Sequence, residues 1–397
     1  MNIGITIQIQ EKDSIWKNGI GQNAMMLYRL FKEIDFVDQV YLVDTGSGDF
    51  EYTWPYNQFD IIKFSDLKSL REKTSLLVTV GSIPSDKHLK FYKEVNDNKV
   101  VAYKGGNALI NRTEMAIYGS IKGWPAVGND SKRSIPPIYE ADEVWMVPQQ
   151  EYHNLDYFEI EYKTKSRVVP FVWSSEFIEH HAQLFKEKGA SPWFDDKDFD
   201  KWRLVSFEPN MSLLKNMVPI LYGVEYAYRQ RKDWLEKLII TNAAGHRENI
   251  DIIEIVKYMD AFKDGKFGFD GRFPAVHVFS NFTEMVVSNQ WGNALNYAYL
   301  DAAYFGIPVV HNAHLCQDLG YYYEDFKLKD MSKQILRAVD ERKNDITFTE
   351  RQNKILERYH YTNEDIIKQY ALLIKNLWNR NEIDGINKYD WKTNTLI

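Results

Sequence analysis

Short apolar runs alternate with amphipathic stretches along most of the chain. Asn2 to Ile9 alternates apolar and polar residues and reads as an opening strand. Met25, Met26, Leu30 and Phe31 then recur at helical spacing and predict a helix from about Gln22 to Glu33. Further apolar runs predict strands at Val40–Val43, Phe59–Phe64, Leu76–Val80, Lys99–Tyr103, Glu143–Val147 and Arg167–Val172, separated by helical or loop stretches. Ser174 to Gly189 is helical in pattern and ends in glycine, and Ala190 to Asp200 is a connector rich in Pro and Asp. The alternation then restarts. Strands are predicted at Arg203–Phe207, Leu238–Thr241 and Val276–Phe279, with helices near Val218–Arg231 and Asn249–Ala261. A strand–helix–strand unit spans Met285–Val310, and helical stretches at Lys333–Glu341, Glu350–Tyr359 and Asn363–Trp378 close the pattern.

Strands that alternate with helices imply parallel, doubly wound sheets. At 397 residues two cores are expected rather than one. The pattern predicts an α/β chain with two Rossmann-like domains, at 1–173 and 203–362, joined by a connector at 174–202. A closing helix at 363–378 and a loosely held polar tail at 379–397 follow.

Composition narrows the classes. An apolar fraction of 44% with 26% charged residues is globular. The lone Cys316 excludes a disulfide within the chain, and Cys316 with nine scattered His gives no metal-ligand spacing. No basic-then-apolar leader follows Met1, and no apolar run approaches the ~20 residues of a membrane span. A cytoplasmic, soluble protein is expected. The net charge of -7 argues against a dedicated nucleic-acid binder. Yet Lys87 to Arg133 carries nine Lys or Arg against four acids, interleaved with Tyr92, Tyr103, Tyr118 and Trp124. Such a stretch is either a solvated face or a surface for a polyanion.

Candidate chemistry concentrates between Ser288 and Asn312, in SNQWGNALNYAYLDAAYFGIPVVHN. A polar loop leads into a helix expected to carry both Asn293 and Asp301, eight positions apart and so on one side. A helix start with exposed N–H groups favours an anion, and a carboxylate such as Asp301 accepts protons from two vicinal hydroxyls. Gln290, Asn296 and Tyr297 sit around that start. Glu208, Asn210 and Lys215 follow the first strand of the second half, at the strand end where open α/β sheets bind ligands, and Thr241-Asn242 lies at the next strand end. In the first half, Trp16 to Asn23 is a strand-to-helix loop with Gly19 and Gly21, in which Asn18, Gln22 and Asn23 offer donors without charge. Lys104-Gly105-Gly106-Asn107 is a second loop at a strand end, placed either to meet an acceptor or as an ordinary glycine turn.

Asp301, seven further residues back to position 293, and Gly306-Ile307-Pro308-Val309-Val310 together resemble the donor-binding motif of GT-B-fold glycosyltransferases. SIWKNGIGQN, FEPNMSLLK, NQWGNALNYAYLDAAYFGIPVVHN and GYYYEDF (Gly320–Phe326) extend the likeness over nearly the full chain, to a bacterial and phage family of GT-B-type glycosyltransferases. The chain departs from the motif at Asn293, where the family has an acid. The resemblance implies a GT-B architecture, its two domains facing across a cleft, and transfer from a nucleotide sugar, UDP-linked, without cofactor or essential metal. Gly19, Gly21 and Gln22 would reach the donor phosphates, and Asp301 would grip the ribose. Glu208, Asn210, Asn242, Gln290, Asn293, Asn296 and Tyr297 would line the donor. Lys215 would neutralise the leaving diphosphate. Trp16, Asn18 and the Lys104–Asn107 loop would face the acceptor, and Asp13 is the candidate base, with Asp44 the other carboxylate near a first-half strand end.

Heavy use of Lys, Asn, Ile and Tyr suggests an AT-rich genome such as that of many large phages. By that analogy the sugar would be a hexose or a pentose such as arabinose. The favoured acceptor would be 5-hydroxymethylcytosine in double-stranded phage DNA, placing the protein in the host cytoplasm. The alternatives are transfer in cell-envelope polysaccharide assembly, a nucleotide-sugar epimerase, or an inactive binding module.

Overall fold

The computed structural model describes residues 1–9, 19–48, 51–82, 84–95, 97–118, 139–379 and 388–396. Among them the chain forms two parallel sheets belonging to two compact units. The first unit holds the described residues up to Ala116, those from Tyr139 to Ser174, and those from Arg358 onward; the second holds Ile117, Tyr118 and Ser175–Glu357.

The first sheet contains β1 (Asn2–Ile7), β2 (Gln39–Asp44), β3 (Ile61–Lys63), β4 (Leu76–Val80), β5 (Lys99–Lys104), β6 (Glu143–Met146) and β7 (Ser166–Val168), in the order β3-β2-β1-β4-β5-β6-β7. Ile5 lies between Leu42 and Val78, and all three are fully buried. Strands covered on both faces read as continuous apolar runs, which is why this sheet was legible. The second sheet contains β8 (Trp202–Ser206), β9 (Leu235–Ile240), β10 (Phe267–Phe269), β11 (Met285–Val287), β12 (Val309–His311) and β13 (Tyr321–Tyr322), in the order β10-β9-β8-β11-β12-β13. Each order is doubly wound, with its switch point between β1 and β4 or between β8 and β11. Because all the strands are parallel, the loops after β8, β9, β11, β12 and β13 gather on one edge.

Several local expectations change. Val276–Phe279 is not a strand but part of the helix Ala275–Asn281, entered from Pro274. A short β-branched run does not by itself separate a buried helix from a strand. The sequence pattern did not predict the strands β10 and β13, of three and two residues. Asn249–Ala261 breaks into Ile250–Val256 and Asp260–Lys263. Gly19–Asn23 is not loop: the helix starts at Gly19 and runs to Lys32. Ile20 packs directly on Gly81, where a Cβ would come within 2.1 Å of its Cγ2 and where φ is +66°.

Of the expected polar tail, the described residues 388–396 are anchored. Tyr389–Asp390 pairs antiparallel with Thr395–Leu396. The buried Asn394 carboxamide binds Phe171 as a strand would, accepting from its N–H at 3.0 Å and donating to its carbonyl at 2.8 Å. It also donates to Arg358 O at 2.9 Å. The helix Glu364–Asn379 returns to the first unit, where Tyr370 donates to Pro170 O at 2.9 Å and its ring meets Phe31 and Trp145.

The Gly306-Ile307-Pro308 turn depends on Arg342. This fully buried guanidinium lies between the rings of Phe194 (4.0 Å) and Phe348 (4.6 Å) and donates to Gly306 O at 3.0 Å. It also pairs with Asp195 at 2.9 Å. Gly306 has φ +71°, and a Cβ there would come within 2.2 Å of Thr349 Oγ1. Replacing Arg342 with Leu strands the buried Gly306 carbonyl. It should lower unfolding stability by about 3 kcal/mol, read as an earlier urea midpoint. An unchanged midpoint would show that the turn holds without it.

Candidate functional site

At the switch point of the second sheet, the loops after β8 and β11 carry a buried polar cluster. Ser288, the first residue past β11, donates its hydroxyl to the Glu208 carboxylate and lies 2.5 Å from the Tyr299 hydroxyl. The Tyr323 hydroxyl lies 2.9 Å from both Ser288 O and Asn289 Oδ1. Lys215 is buried beside them, its ammonium 5.9 Å from the centre of the Tyr299 ring, and it makes no hydrogen bond among the described residues. Burial lowers the Lys215 pKa, and the Glu208 charge works against that shift. Burial likewise raises the Glu208 pKa, opposed by Lys215, the Ser288 hydroxyl and the Asn289 backbone N–H. Burial and the Glu208 charge hold the Tyr299 phenol well above its ordinary range. A largely buried cation with no ion pair among the described residues, at a strand end where ligands bind, is suited to an anion.

Carboxamides hold the surrounding loops. Asn210, at φ +55°, donates to Glu208 O (2.8 Å) and Thr241 O (3.1 Å) and accepts from Met217 N–H at 2.7 Å. Asn242, also at φ +55°, donates to Phe207 O and Glu208 O. Both are expected to line the donor, and their side chains also shape the loop that presents Glu208 and Lys215. Gln290 and Asn312 bond reciprocally: Gln290 N–H donates to Asn312 Oδ1 at 2.9 Å, and Asn312 Nδ2 donates to Gln290 O at 2.9 Å. Gln290 Oε1 also accepts from Asn293 N–H at 2.7 Å.

The expected helix from Asn293 is shorter. It spans Tyr297–Tyr304, with Asn296 as its N-cap accepting from Ala298 N–H at 3.4 Å. Asn293 therefore lies in the loop, and it does not share a helix face with Asp301. The Asn296 carboxamide sets this start, since an N-cap side chain satisfies the first free N–H groups. Asp301 is buried on the helix.

The first-half candidates are dispersed. Trp16, Asn18 and Asp13 lie outside the described residues. Gly19, Gly21 and Gln22 occupy the first turn of their helix. The Lys104 ammonium lies over the Tyr162 ring at 4.9 Å, its pKa lowered to about 8 by burial and then by Arg112, so it is engaged among helices. Asn107 Oδ1 caps the helix Ala108–Tyr118, accepting from Ile110 N–H at 3.2 Å and from Asn154 at 3.0 Å. Only Gly105 and Gly106 stay open, with nothing within 4 Å of an added Cβ. Asp44 is fully engaged: Ile9 N–H, Gly46 N–H, Tyr52 OH and the Lys63 ammonium all donate to it.

Three of the six described cations of Lys87–Arg133 are paired with acids. Lys93 pairs with Asp142 (3.0 Å), Lys99 with Asp97 (2.5 Å) and Arg112 with Glu161 (2.5 Å). Lys122, Lys132 and Arg133 lie outside the described residues, and Lys87 and Lys90 are the exposed ones of the rest. Among the described residues no group of His, Cys, Asp and Glu could hold a metal, and no helix is long and apolar enough to cross a membrane.

The contributions of Ser288, Tyr299, Tyr323 and Asn312 escaped sequence reasoning. Their one sequence signal is position, each at or just beyond a strand end or within the helix that follows.

Two Rossmann-like parallel-sheet domains with this topology are the GT-B fold of glycosyltransferases. A glycosyltransferase from Rickettsia africae ESF-5 is similar to this chain with a TM-score of 0.54 at 9% identity, over 96% of this chain and 99% of that one. HepE from Anabaena, solved with UDP and glucose, gives 0.52 at 12% identity over 95% and 100%. WaaG, a glycosyltransferase involved in lipopolysaccharide biosynthesis, gives 0.50 at 11% identity over 94% and 99%. The chain belongs to the family described as "Protein of unknown function (DUF2827)", which matches residues 3–374. No curated protein sequence matches it.

The His311 ring stacks on Tyr299 with centroids 5.4 Å apart, accepting from Ala313 N–H at Nδ1 and donating to Leu319 O from Nε2. Burial lowers its pKa from 6.5 to about 4. Between those values the unfolded chain binds the extra proton, so stability falls on acidification. The loss reaches about 3 kcal/mol by pH 4. Urea unfolding across that range should show a slope smaller by about one proton in His311→Asn. Equal slopes in the two proteins would contradict a neutral buried His311.

Proposed function

We propose that this protein transfers a sugar from a UDP-linked donor to a hydroxyl of a saccharide acceptor. The observation that carries this reading is the buried Lys215 ammonium, without a hydrogen bond, at the switch point of the second sheet. In transfer, a bond forms between the acceptor oxygen and the anomeric carbon while the bond from that carbon to the diphosphate breaks. Negative charge then grows on the diphosphate, and a fixed cation in a desolvated setting offsets it more strongly than water could. Asp301 and Asn293 would take the ribose and sugar hydroxyls, and the loop 288–296 would cover the phosphates. The complex of HepE with UDP and glucose supports the choice of nucleotide. In this reading the donor sugar would be a hexose or pentose.

With Asp44 engaged by four donors, Asp13 is the carboxylate to test as base in the first half. Saccharide acceptors come ahead of DNA because ion pairs or burial account for four of the six described cations of the basic stretch, Lys93, Lys99, Lys104 and Arg112. The likeness to WaaG and to the lipopolysaccharide outer core galactosyltransferase WaaB points the same way. Duplex DNA containing 5-hydroxymethylcytosine, with hexose or arabinose as the sugar, is the second acceptor to assay.

The test is product mass after incubation with a panel of UDP-sugars and three acceptor classes: lipopolysaccharide core oligosaccharides, lipid-linked glycans, and hydroxymethylated duplex DNA. Addition of one sugar to an oligosaccharide or lipid-linked glycan is expected, and addition to DNA would move the acceptor. Lys215→Ala should slow transfer by ~100-fold. Sugar release with no acceptor dependence would favour hydrolysis or epimerisation instead. Absence of binding to every UDP-sugar would overturn the reading.

A further inference from the structure

We propose that Trp291 and Phe326 form an aromatic platform that takes a sugar ring at the carboxyl edge of the second sheet; this rests on the donor-site reading above. The two rings meet edge to face with centroids 6.4 Å apart, yet Trp291 is 51% and Phe326 48% exposed. Met211 and Leu213, on the loop that Trp291 bonds to, are 51% and 42% exposed. Large apolar side chains grouped on the loops of one ligand-binding edge mark a contact surface more often than scattered exposed ones do.

The backbone that carries the two rings is held in place. Trp291 N–H donates to Leu214 O at 2.8 Å, and Gly292 follows at φ +67°. Asn312, locked to Gln290, donates its second amide proton to Asp325 O at 2.8 Å. Asp325 immediately precedes Phe326 and sits at φ +49°, a left-handed conformation that costs energy for a residue with a side chain. One carboxamide, Asn312, therefore fixes the backbone on both sides of the platform. Pinning exposed rings at a cost in strain makes sense where the rings meet a ligand, because an ordered surface loses less entropy on binding.

The chemistry fits a sugar. A pyranose or furanose presents a face of C–H groups rimmed by hydroxyls, which suits an aromatic face beside polar groups. Asn293, two residues beyond Trp291, supplies such a group: its side chain makes no hydrogen bond among the described residues, and its backbone N–H is fixed by Gln290. The neutral Asn293 and the platform together take over ring recognition at the position where the resembling motif has an acid.

The sugar could belong to the donor or to the acceptor, and titration separates them. Full-length protein and the Trp291→Ala, Phe326→Ala and Trp291→Phe variants are titrated calorimetrically with UDP, UDP-glucose, UDP-galactose and UDP-N-acetylglucosamine. Saturation-transfer NMR follows methyl glucoside, galactoside and arabinoside. Each Ala variant should lose about tenfold in affinity for sugars while affinity for UDP is unchanged, and Trp291→Phe should regain most of the loss. A loss confined to UDP-sugars assigns the donor, and one confined to methyl glycosides assigns the acceptor. Equal loss for UDP and UDP-sugars would make the rings a nucleotide contact and overturn the proposal. So would unchanged sugar affinity, or a native protein that binds UDP but no sugar. Failure to bind UDP at all would sink the donor-site reading itself, a separate result.

Discussion

The buried Lys215 ammonium is the constraint around which the edge of the second sheet is arranged. Drawing a cation largely out of water carries a penalty that nearby charges must offset. Glu208 offsets part of that cost through its charge, and its own burial is relieved by Ser288 and the Asn289 backbone. The pair makes no direct ion pair among the described residues, so Lys215 keeps capacity for another anion. A diphosphate at this point would restore the lost solvation of the ammonium, coupling ligand binding to the stability of the loop.

What keeps the lysine in place is a set of neutral amides. Asn210 and Asn242 take left-handed backbone conformations and tie the loop after β8 to the strand ends. Gln290 and Asn312 lock the loop after β11 to the loop after β12, and Trp291 joins it to Leu214. Asn is the residue with a side chain that best tolerates such conformations while bonding to nearby backbone. Its frequency around the site is a consequence of loop geometry as much as of ligand chemistry.

The fold was largely legible because both parallel sheets are buried on two faces, which writes uninterrupted apolar runs such as Leu76–Val80 into the chain. Errors fell where length or context overrides pattern. Val276–Phe279 is β-branched yet helical, and Tyr321–Tyr322 is too short to announce a strand. Within the stretch 288–312, Asn293 could not be placed without knowing that Asn296 caps the helix. Lys104 and Asn107 sit at the expected strand end, where one lies over Tyr162 and the other caps a helix. Ser288 and Tyr323 gained their places through tertiary contacts spanning 80 and 35 residues, which no local pattern records.

The most direct test of the account is hydrogen–deuterium exchange of the full-length protein with and without saturating UDP. Slower exchange in 207–217 and 288–304 is predicted, because the nucleotide would bridge the loop that carries Lys215 and the loop after β11. Protection confined to the first unit, or no protection at all under saturation, would contradict a donor site at the switch point of the second sheet.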